Sequence, residues 1–166
     1  MIVLGIDPGT AITGWGVVRE GEDGCLTLVD CGTIQTTAST PLPQRLRQIF
    51  HKITALVERY APETVAVEEI FFSKNVRTAM SVGQARGVIL LAAALADRPV
   101  HEYTPLQVKQ AVSGYGSADK AQVQQMTALL LGLDAVPTPD DAADAIAVAV
   151  CHLHSAHLQS LLADQT

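Results

Sequence analysis

The sequence is poor in aromatic residues, in charged residues and in cysteine. Aromatic side chains make up 4% of the 166 residues and charged ones 17%, whereas apolar residues make up 48%. This balance excludes a disordered chain, and the length allows one substantial core. The three cysteines are odd in number and form no CxxC pair, which is typical of a reducing compartment.

The sequence also lacks a long hydrophobic run. The longest uncharged apolar stretch, residues 87–96, is too short to cross a bilayer. The N-terminus enters an apolar segment without the basic region of a secretory leader, so we expect a cytoplasmic protein without membrane contact. The net charge is −6, but residues 70–120 carry six basic and three acidic residues. Composition therefore does not exclude a nucleic-acid partner.

The order of apolar patterns predicts a single α/β domain. Three strands with short links at the start are typical of an antiparallel meander, and helices then alternate with two further strands. We expect a mixed five-stranded sheet flanked by helices over residues 1–158, followed by a short tail at 159–166. The expected strands are 2–7, 13–19, 25–36, 64–69 and 99–103, and the expected helices are 42–60, 75–96, 104–112, 119–131 and 139–157.

Carboxylates end two of the predicted buried strands. Asp7 follows an apolar run and precedes a Pro-Gly turn, and Glu68 and Glu69 end the fourth strand in the same way. A buried carboxylate is costly unless a hydrogen-bonded turn or a cation compensates it. For Asp7 the structural alternative is an Asx turn that accepts the amides of Gly9 and Thr10. The pattern does not choose between Glu68 and Glu69, because both strand faces are apolar.

The last predicted helix carries two further carboxylates. Asp141 and Asp144 stand at i and i+3 and so share one helix face. A helix start with Thr138 as N-cap and Pro139 at the first helical position would explain Asp140, and partly Asp141. It does not explain Asp144, because that helix is apolar nearly all round and is therefore expected to be buried.

Carboxylates from three buried elements indicate a site for a hard divalent cation. Oxygen ligands without His or Cys suit Mg²⁺ or Mn²⁺. Four carboxylates could hold two ions about 4 Å apart, an arrangement used for phosphodiester cleavage, in which one ion activates a water and the other stabilises the leaving oxygen. A zinc site at Cys151, His154 and His157 is disfavoured, because side chains at i, i+3 and i+6 drift around a helix.

Short motifs stand in order along residues 1–157: Gly5-Ile-Asp-Pro-Gly-Thr10, Thr13-Gly-Trp-Gly-Val17, Val65-Ala-Val-Glu-Glu-Ile-Phe71, Lys74-Asn75, Gly83-Gln-Ala-Arg-Gly87, Gln107-Val-Lys-Gln110, Gly116-Ser-Ala-Asp-Lys120 and Asp141-Ala-Ala-Asp-Ala-Ile146. Together they resemble the RuvC family of bacterial Holliday-junction resolvases. The resemblance implies an RNase H-like fold, a homodimer, and Mg²⁺-dependent paired nicking of four-way DNA junctions in recombination and repair. It also implies ends with 5′-phosphate, and the RuvA–RuvB branch-migration complex as a partner.

The resemblance also assigns the acidic residues. It selects Glu68 over Glu69 and Asp141 over Asp140, so that Asp7, Glu68, Asp141 and Asp144 are the catalytic metal ligands. Two Mg²⁺ ions in each site are implied, with Mn²⁺ as a substitute.

Further positions are expected to contact DNA. By resemblance Phe71 stacks on a base near the junction, a contact worth about 1–3 kcal/mol. Lys120 lies in the first turn of a predicted helix capped by Ser117 or Asp119. A cation is unfavourable there, next to the positive end of the helix dipole, unless an anion binds beside it. The resemblance assigns phosphate contacts to Lys109 and Lys120, and Lys120 is expected to assist catalysis. Arg86 remains unassigned, and the remaining DNA contacts are expected at Lys74, Asn75 and Arg77.

Three other functions fit parts of the sequence. The segment from Asp7 to Gly16 resembles the phosphate-binding hairpin of actin-like ATPases and sugar kinases, but 166 residues leave no second lobe to close over a nucleotide. A non-catalytic junction-binding protein would share the DNA contacts without cleavage. An RNase H-like nuclease that acts on ribosomal RNA precursors would share the first motif, but the segments 68–74 and 109–120 favour the resolvase.

Overall fold

The computed structural model describes residues 1–69 and 76–163, with side chains described for 1–69 and 79–158. Five strands and five helices lie in the described part. The strands are β1 (Ile2–Asp7), β2 (Ile12–Glu20), β3 (Leu26–Gln35), β4 (Thr64–Glu68) and β5 (Val100–Tyr103). The helices are α1 (Leu42–Tyr60), α2 (Val76–Leu95), α3 (Pro105–Ser113), α4 (Lys120–Leu130) and α5 (Asp140–Ala163). None of these helices is long and apolar enough to cross a membrane.

The strands form one mixed sheet in the order β3-β2-β1-β4-β5. The pairs β1–β2 and β2–β3 are antiparallel, whereas β1–β4 and β4–β5 are parallel. This is the RNase H-like arrangement predicted from the sequence, with three antiparallel strands first, and the prediction of fold class is confirmed. The parallel pairing of β1 with β4 brings the carboxyl ends of these two strands to the same edge of the sheet.

The core lies on both faces of the sheet. Because side chains alternate along a strand, Val3 points into one apolar cluster while Leu4 and Ile6 point into the other. Helices α3, α4 and α5 cover the face of Val3, and α1 and α2 cover the opposite face. The apolar runs predicted for β1 and β4 therefore reflect strands that are buried on two sides.

Helix α5 lies unusually close to β1 and β2 because these strands present glycine to it. A Cβ on Gly5 would stand 2.2 Å from the carbonyl oxygen of Ala145, and one on Gly14 would stand 1.9 Å from that of Asp141. A Cβ on Gly16 would stand 2.5 Å from Ile146. No such contact is tolerated by real side chains, so α5 packs backbone against backbone on this part of the sheet.

The predicted boundaries agree with the structure to within a few residues, except for the last helix. Its end was predicted at His157, but α5 continues to Ala163. No proline or glycine interrupts the sequence after His157, which is the physical reason for the longer helix.

At the start of α5, the carbonyl of Pro139 accepts the amide of Ala142, so Pro139 precedes the first helical residue, Asp140. The division into a domain at 1–158 and a tail stays a prediction.

The contact between α5 and the sheet predicts a large effect of one methyl group. We expect Gly5→Ala to lower the free energy of unfolding by about 1–3 kcal/mol, because the added Cβ must push the helix away from β1. Urea unfolding followed by circular dichroism measures this change. Ala121→Leu is the control: position 121 is exposed on α4, so added volume there meets no packed interior and should leave the free energy of unfolding within about 0.5 kcal/mol of the parent value. Equal midpoints for Gly5→Ala and the parent protein would contradict the packing argument.

Candidate active site

Asp7 and Glu68 meet at the carboxyl ends of β1 and β4. The register pairs Ile6 with Val67, so the next residues of the two parallel strands are neighbours. Both side chains lie on the α5 face of the sheet, two residues after Gly5 and Ala66 respectively. The carboxyl group of Asp7 donates a hydrogen bond to the carboxylate of Glu68.

The structure distinguishes Glu68 from the adjacent Glu69. Side chains of consecutive strand residues point to opposite faces, so only one of the two glutamates can join Asp7. Glu68 is partly buried beside Asp7, whereas Glu69 is exposed and binds Tyr103 through its backbone amide, at 2.8 Å. The sequence pattern left open which glutamate joins Asp7, and the alternation of side chains along β4 places Glu68 there.

The first turns of α5 bring two more carboxylates to this edge. Asp7 pairs with Gly14 in the sheet, and the missing side chain of Gly14 lets the backbone of Asp141 lie directly above it. The negative charges of Asp144 and Asp141 both act on Asp7. The four acidic residues predicted from the sequence therefore converge, and Asp140 stays on the surface, with its side chain 71% exposed.

The pKa of Asp7 rises from 3.8 to about 8. Burial is the main cause, and the neighbouring charges of Glu68 and Asp144 add to it. Burial and the charge of Asp144 also raise the pKa of Glu68, against the opposing hydrogen bond from Asp7 and the charge of Lys120. At neutral pH the pair of Asp7 and Glu68 therefore shares a proton in the metal-free protein.

Helix α4 supplies a cation and an amide to this cluster. A capping box between Asp119 and Gln122 begins the helix, which confirms Asp119 and not Ser117 as the cap. The ammonium of Lys120 lies 2.7 Å from Oδ2 of Asp144, and this hydrogen bond is the main reason why the pKa of Lys120 is raised. The side-chain amide of Gln124 donates to Oδ1 of the same carboxylate at 3.2 Å.

The sequence did not predict the contact of Gln124 with Asp144. It also did not predict that the ammonium of Lys120 lies 3.6 Å from Oδ2 of Asp140. A signal was present in the sequence: Lys120 and Gln124 stand at i and i+4 and therefore share one face of α4. The partner of that face could not be read from spacing alone, because α5 lies twenty residues further along the chain.

A cavity of about 180 Å³ adjoins the carboxylates. Lys109 lies on its wall, so α3 brings this lysine to the site as well. The cavity is lined by Glu68, Val108, Lys109, Lys120, Val123, Asp144 and Ala147. Two lysines and two carboxylates thus line a recess whose remaining walls are the apolar side chains of Val108, Val123 and Ala147.

The acidic cluster offers the type of ligand atom that a hard divalent cation binds. Carboxylate oxygens are the ligands that Mg²⁺ and Mn²⁺ prefer, and the one ammonium in contact with Asp144 leaves the described cluster with excess negative charge. Within residues 1–69 and 76–163, however, no three His, Cys, Asp or Glu side chains are placed so that they could hold a metal ion as they stand. In this arrangement Lys120 and Gln124 engage both oxygens of Asp144, and Asp7 is hydrogen-bonded to Glu68.

Of the side chains named for a zinc site, on the C-terminal part of α5, Cys151 contacts the core and His154 contacts α3. Cys151 is buried in the core, where burial raises the pKa of its thiol to about 11. Nδ1 of His154 lies 2.9 Å from the carbonyl oxygen of Ala111, on α3. These residues serve packing between helices.

Arg86, which the sequence left unassigned, forms an ion pair within the fold. Its guanidinium binds Glu102 on β5 through Nε, at 2.7 Å, and also through Nη2. This pair ties α2 to the edge of the sheet. The predicted DNA contacts Phe71, Lys74 and Asn75 lie outside the described residues, as does the side chain of Arg77.

The raised pKa of Asp7 predicts a stabilising substitution. In the absence of divalent metal, the favourable contribution of protonated Asp7 is complete below about pH 4 and is lost as the pH rises through about 8. We therefore expect Asp7→Asn to raise the free energy of unfolding by roughly 2–4 kcal/mol at pH 8, and to flatten its pH dependence between pH 4 and 8. Urea titrations in EDTA at several pH values measure both effects. Asp140→Asn, at an exposed carboxylate of α5, is the control; identical pH slopes for all three proteins would contradict the assignment.

Comparison with known proteins identifies the family. The family model described as crossover junction endodeoxyribonuclease RuvC matches residues 3–152. A crossover junction endodeoxyribonuclease RuvC from Chloroflexus aurantiacus is 59% identical over 156 residues, which cover 94% of each chain.

Two solved structures support the same relationship. The structure of Thermus thermophilus RuvC has a TM-score of 0.90 at 39% identity and covers 96% of this chain and 97% of its own. The T. thermophilus RuvC in complex with a Holliday junction substrate has a TM-score of 0.88 at 37% identity, covering 95% and 96%. The sequence resemblance is confirmed, and the chain belongs to the RuvC family of crossover junction endodeoxyribonucleases.

Proposed function

We propose that this chain is a metal-dependent endonuclease that resolves Holliday junctions by paired, symmetric nicks in recombination and repair. One observation carries the proposal: in a member of the RuvC family, Asp7, Glu68, Asp141 and Asp144 converge from two strands and a helix at one edge of the sheet. Burial and neighbouring negative charge raise the pKa of Asp7 and of Glu68, so the ionised pair is costly to the fold, and a divalent cation would offset that cost.

The metal is proposed to be Mg²⁺, with two ions in each site and Mn²⁺ as a substitute. Asp7, Glu68, Asp141 and Asp144 would hold it, because they form an oxygen-only donor set. Bound Mg²⁺ supplies Lewis-acid activation of the attacking water and stabilisation of the leaving oxygen. For this to happen Asp7 must release the proton that it shares with Glu68, and Lys120 must leave Oδ2 of Asp144.

Lys120 has a second anionic partner available in the proposed reaction. Its side chain is 55% exposed, so the ammonium can turn from Asp144 to a DNA phosphate without opening the fold. There it would offset charge that develops on the phosphate in the transition state. Lys109, on the wall of the same cavity, is proposed to bind a neighbouring phosphate.

The remaining DNA contacts rest on the family resemblance. Phe71 is proposed to stack on a base, and Lys74, Asn75 and Arg77 to bind the DNA beside it. The products would carry 5′-phosphate and 3′-hydroxyl ends. The RuvA–RuvB complex as a partner and a cytoplasmic location stay predictions.

A homodimer is proposed through an exposed face of α2. Met80, Leu91 and Leu95 are 65%, 51% and 67% exposed, and Gly87 lies between them on the same face. A glycine inside a helix costs about 1 kcal/mol relative to alanine, and no described neighbour requires one here. Close approach of a second α2 would account for both features, and a two-fold dimer would present two sites to a two-fold junction.

These findings favour the junction endonuclease over the alternative functions. A nucleotide-binding domain and a non-catalytic junction-binding protein both leave the convergence of four carboxylates without a role. Family membership favours the junction endonuclease over a nuclease that acts on ribosomal RNA precursors.

Because side chains alternate in direction along β4, substitutions of Glu68 and Glu69 should have opposite outcomes. We expect Glu68→Gln to reduce cleavage of a mobile four-way junction in Mg²⁺ by more than about 100-fold, because it removes a metal ligand next to Asp7. Glu69→Gln, one residue on and facing away from Asp7, should cleave like the parent protein. Gel analysis of end-labelled junctions measures the rate, and linear duplex DNA is the substrate control.

Ligation of the products distinguishes paired nicks from other cleavage. Binding of the junction without cleavage in Mg²⁺ or Mn²⁺ would overturn the proposed activity and favour a junction-binding module. Equal loss in Glu68→Gln and Glu69→Gln would overturn the ligand assignment.

The proposed dimer predicts an oligomeric change from one exposed side chain. We expect Leu91→Lys to raise the dimer dissociation constant at least about 10-fold, because it places a charge in the centre of an apolar interface. Analytical ultracentrifugation measures the constant, and paired nicks should become single nicks in the same variant. Leu129→Lys, at a 70% exposed leucine of α4, is the matched control. A monomeric parent protein at the concentration used for cleavage would contradict the proposal.

A further inference from the structure

Helix α4 engages both oxygens of Asp144 with chemically different donors. Lys120 binds Oδ2 through its ammonium at 2.7 Å, and Gln124 binds Oδ1 through its amide at 3.2 Å. The two side chains stand one helical turn apart and face α5 together. One carboxylate is thus held from both sides by a single helix whose start is secured by a capping box.

The two donors differ in their freedom to leave. The side chain of Lys120 is 55% exposed, so it can exchange Asp144 for another anion. Gln124 is 9% exposed and stands between buried neighbours, Val123 and Thr127. Its amide therefore has less freedom to exchange Oδ1 for another partner.

We propose that Gln124 is a positioning residue of the active site: its amide holds Oδ1 of Asp144, so that Oδ2, which Lys120 contacts, is kept in place for a divalent cation. This inference rests on the proposed function, since it assumes that Asp144 is a metal ligand. Gln124 itself touches neither metal nor DNA in this role.

The chemistry of an amide suits the role. A cation at this position would neutralise Asp144 and compete with the metal, and a carboxylate would repel it. The neutral N–H donor restrains the carboxylate while leaving its charge intact. Hydrogen bonds of this kind to a metal-binding carboxylate typically change metal affinity or activity by roughly 10–100-fold.

Binding of Mn²⁺ to the DNA-free protein tests the proposal without any turnover. Isothermal titration calorimetry should show Mn²⁺ binding roughly 10–100-fold weaker in Gln124→Met, which keeps the side-chain volume but cannot donate a hydrogen bond. Gln125→Met, the same change at the next, exposed position, should bind Mn²⁺ like the parent protein. Gln124→Asn keeps the amide on a side chain one methylene shorter, should also bind Mn²⁺ more weakly, and replaces Gln124→Met if that variant does not fold.

Two further readouts separate positioning from a general structural role. Junction binding in EDTA and the thermal midpoint of Gln124→Met should stay close to the parent values. If both fall together with Mn²⁺ affinity, or if Mn²⁺ affinity equals that of the parent, the role of Gln124 is overturned. If the parent protein itself binds no Mn²⁺, or if Asp144→Asn binds it as well as the parent does, the proposed metal site fails, and with it the role of Gln124.

Discussion

The structure depends on the direct contact between the backbone of α5 and the glycines of β1 and β2. Without side chains at Gly5 and Gly14, the helix descends onto the sheet until carbonyl groups and Cα atoms meet. This close packing sets the distance of Asp141 and Asp144 from Asp7. Added volume in a packed interior cannot be absorbed locally, so the spacing of the carboxylates is coupled to the core beneath them.

The acidic cluster is a place where function and stability oppose each other. Burial and like charges raise the pKa of Asp7 and Glu68, which means that the fold without a cation holds these groups at a cost in free energy. The ammonium of Lys120 offsets part of that cost through Asp144. A cation that binds the folded state and not the unfolded one would stabilise the protein by mass action.

Helices α2 and α4 each carry one residue bound within the fold and other residues exposed to solvent. Arg86 of α2 is paired with Glu102 inside the fold, while Met80, Leu91 and Leu95 of the same helix remain exposed. In α4 the buried Gln124 and the exposed Lys120 bind the same carboxylate. On α4, a buried contact and a partly exposed contact thus hold one carboxylate.

The sequence by itself determined which elements are buried, where their carboxylates stand and which family the motifs match, because these follow from local periodicity and from residue identity. It could not choose Glu68 over Glu69 from the pattern, since both faces of a central strand are apolar. It left Arg86 without a partner, missed Gln124 and ended the last helix early. The tertiary structure decided these points, because strand parity relative to α5, the pairing of α2 with β5 and the contact of α4 with α5 join residues that are distant along the chain.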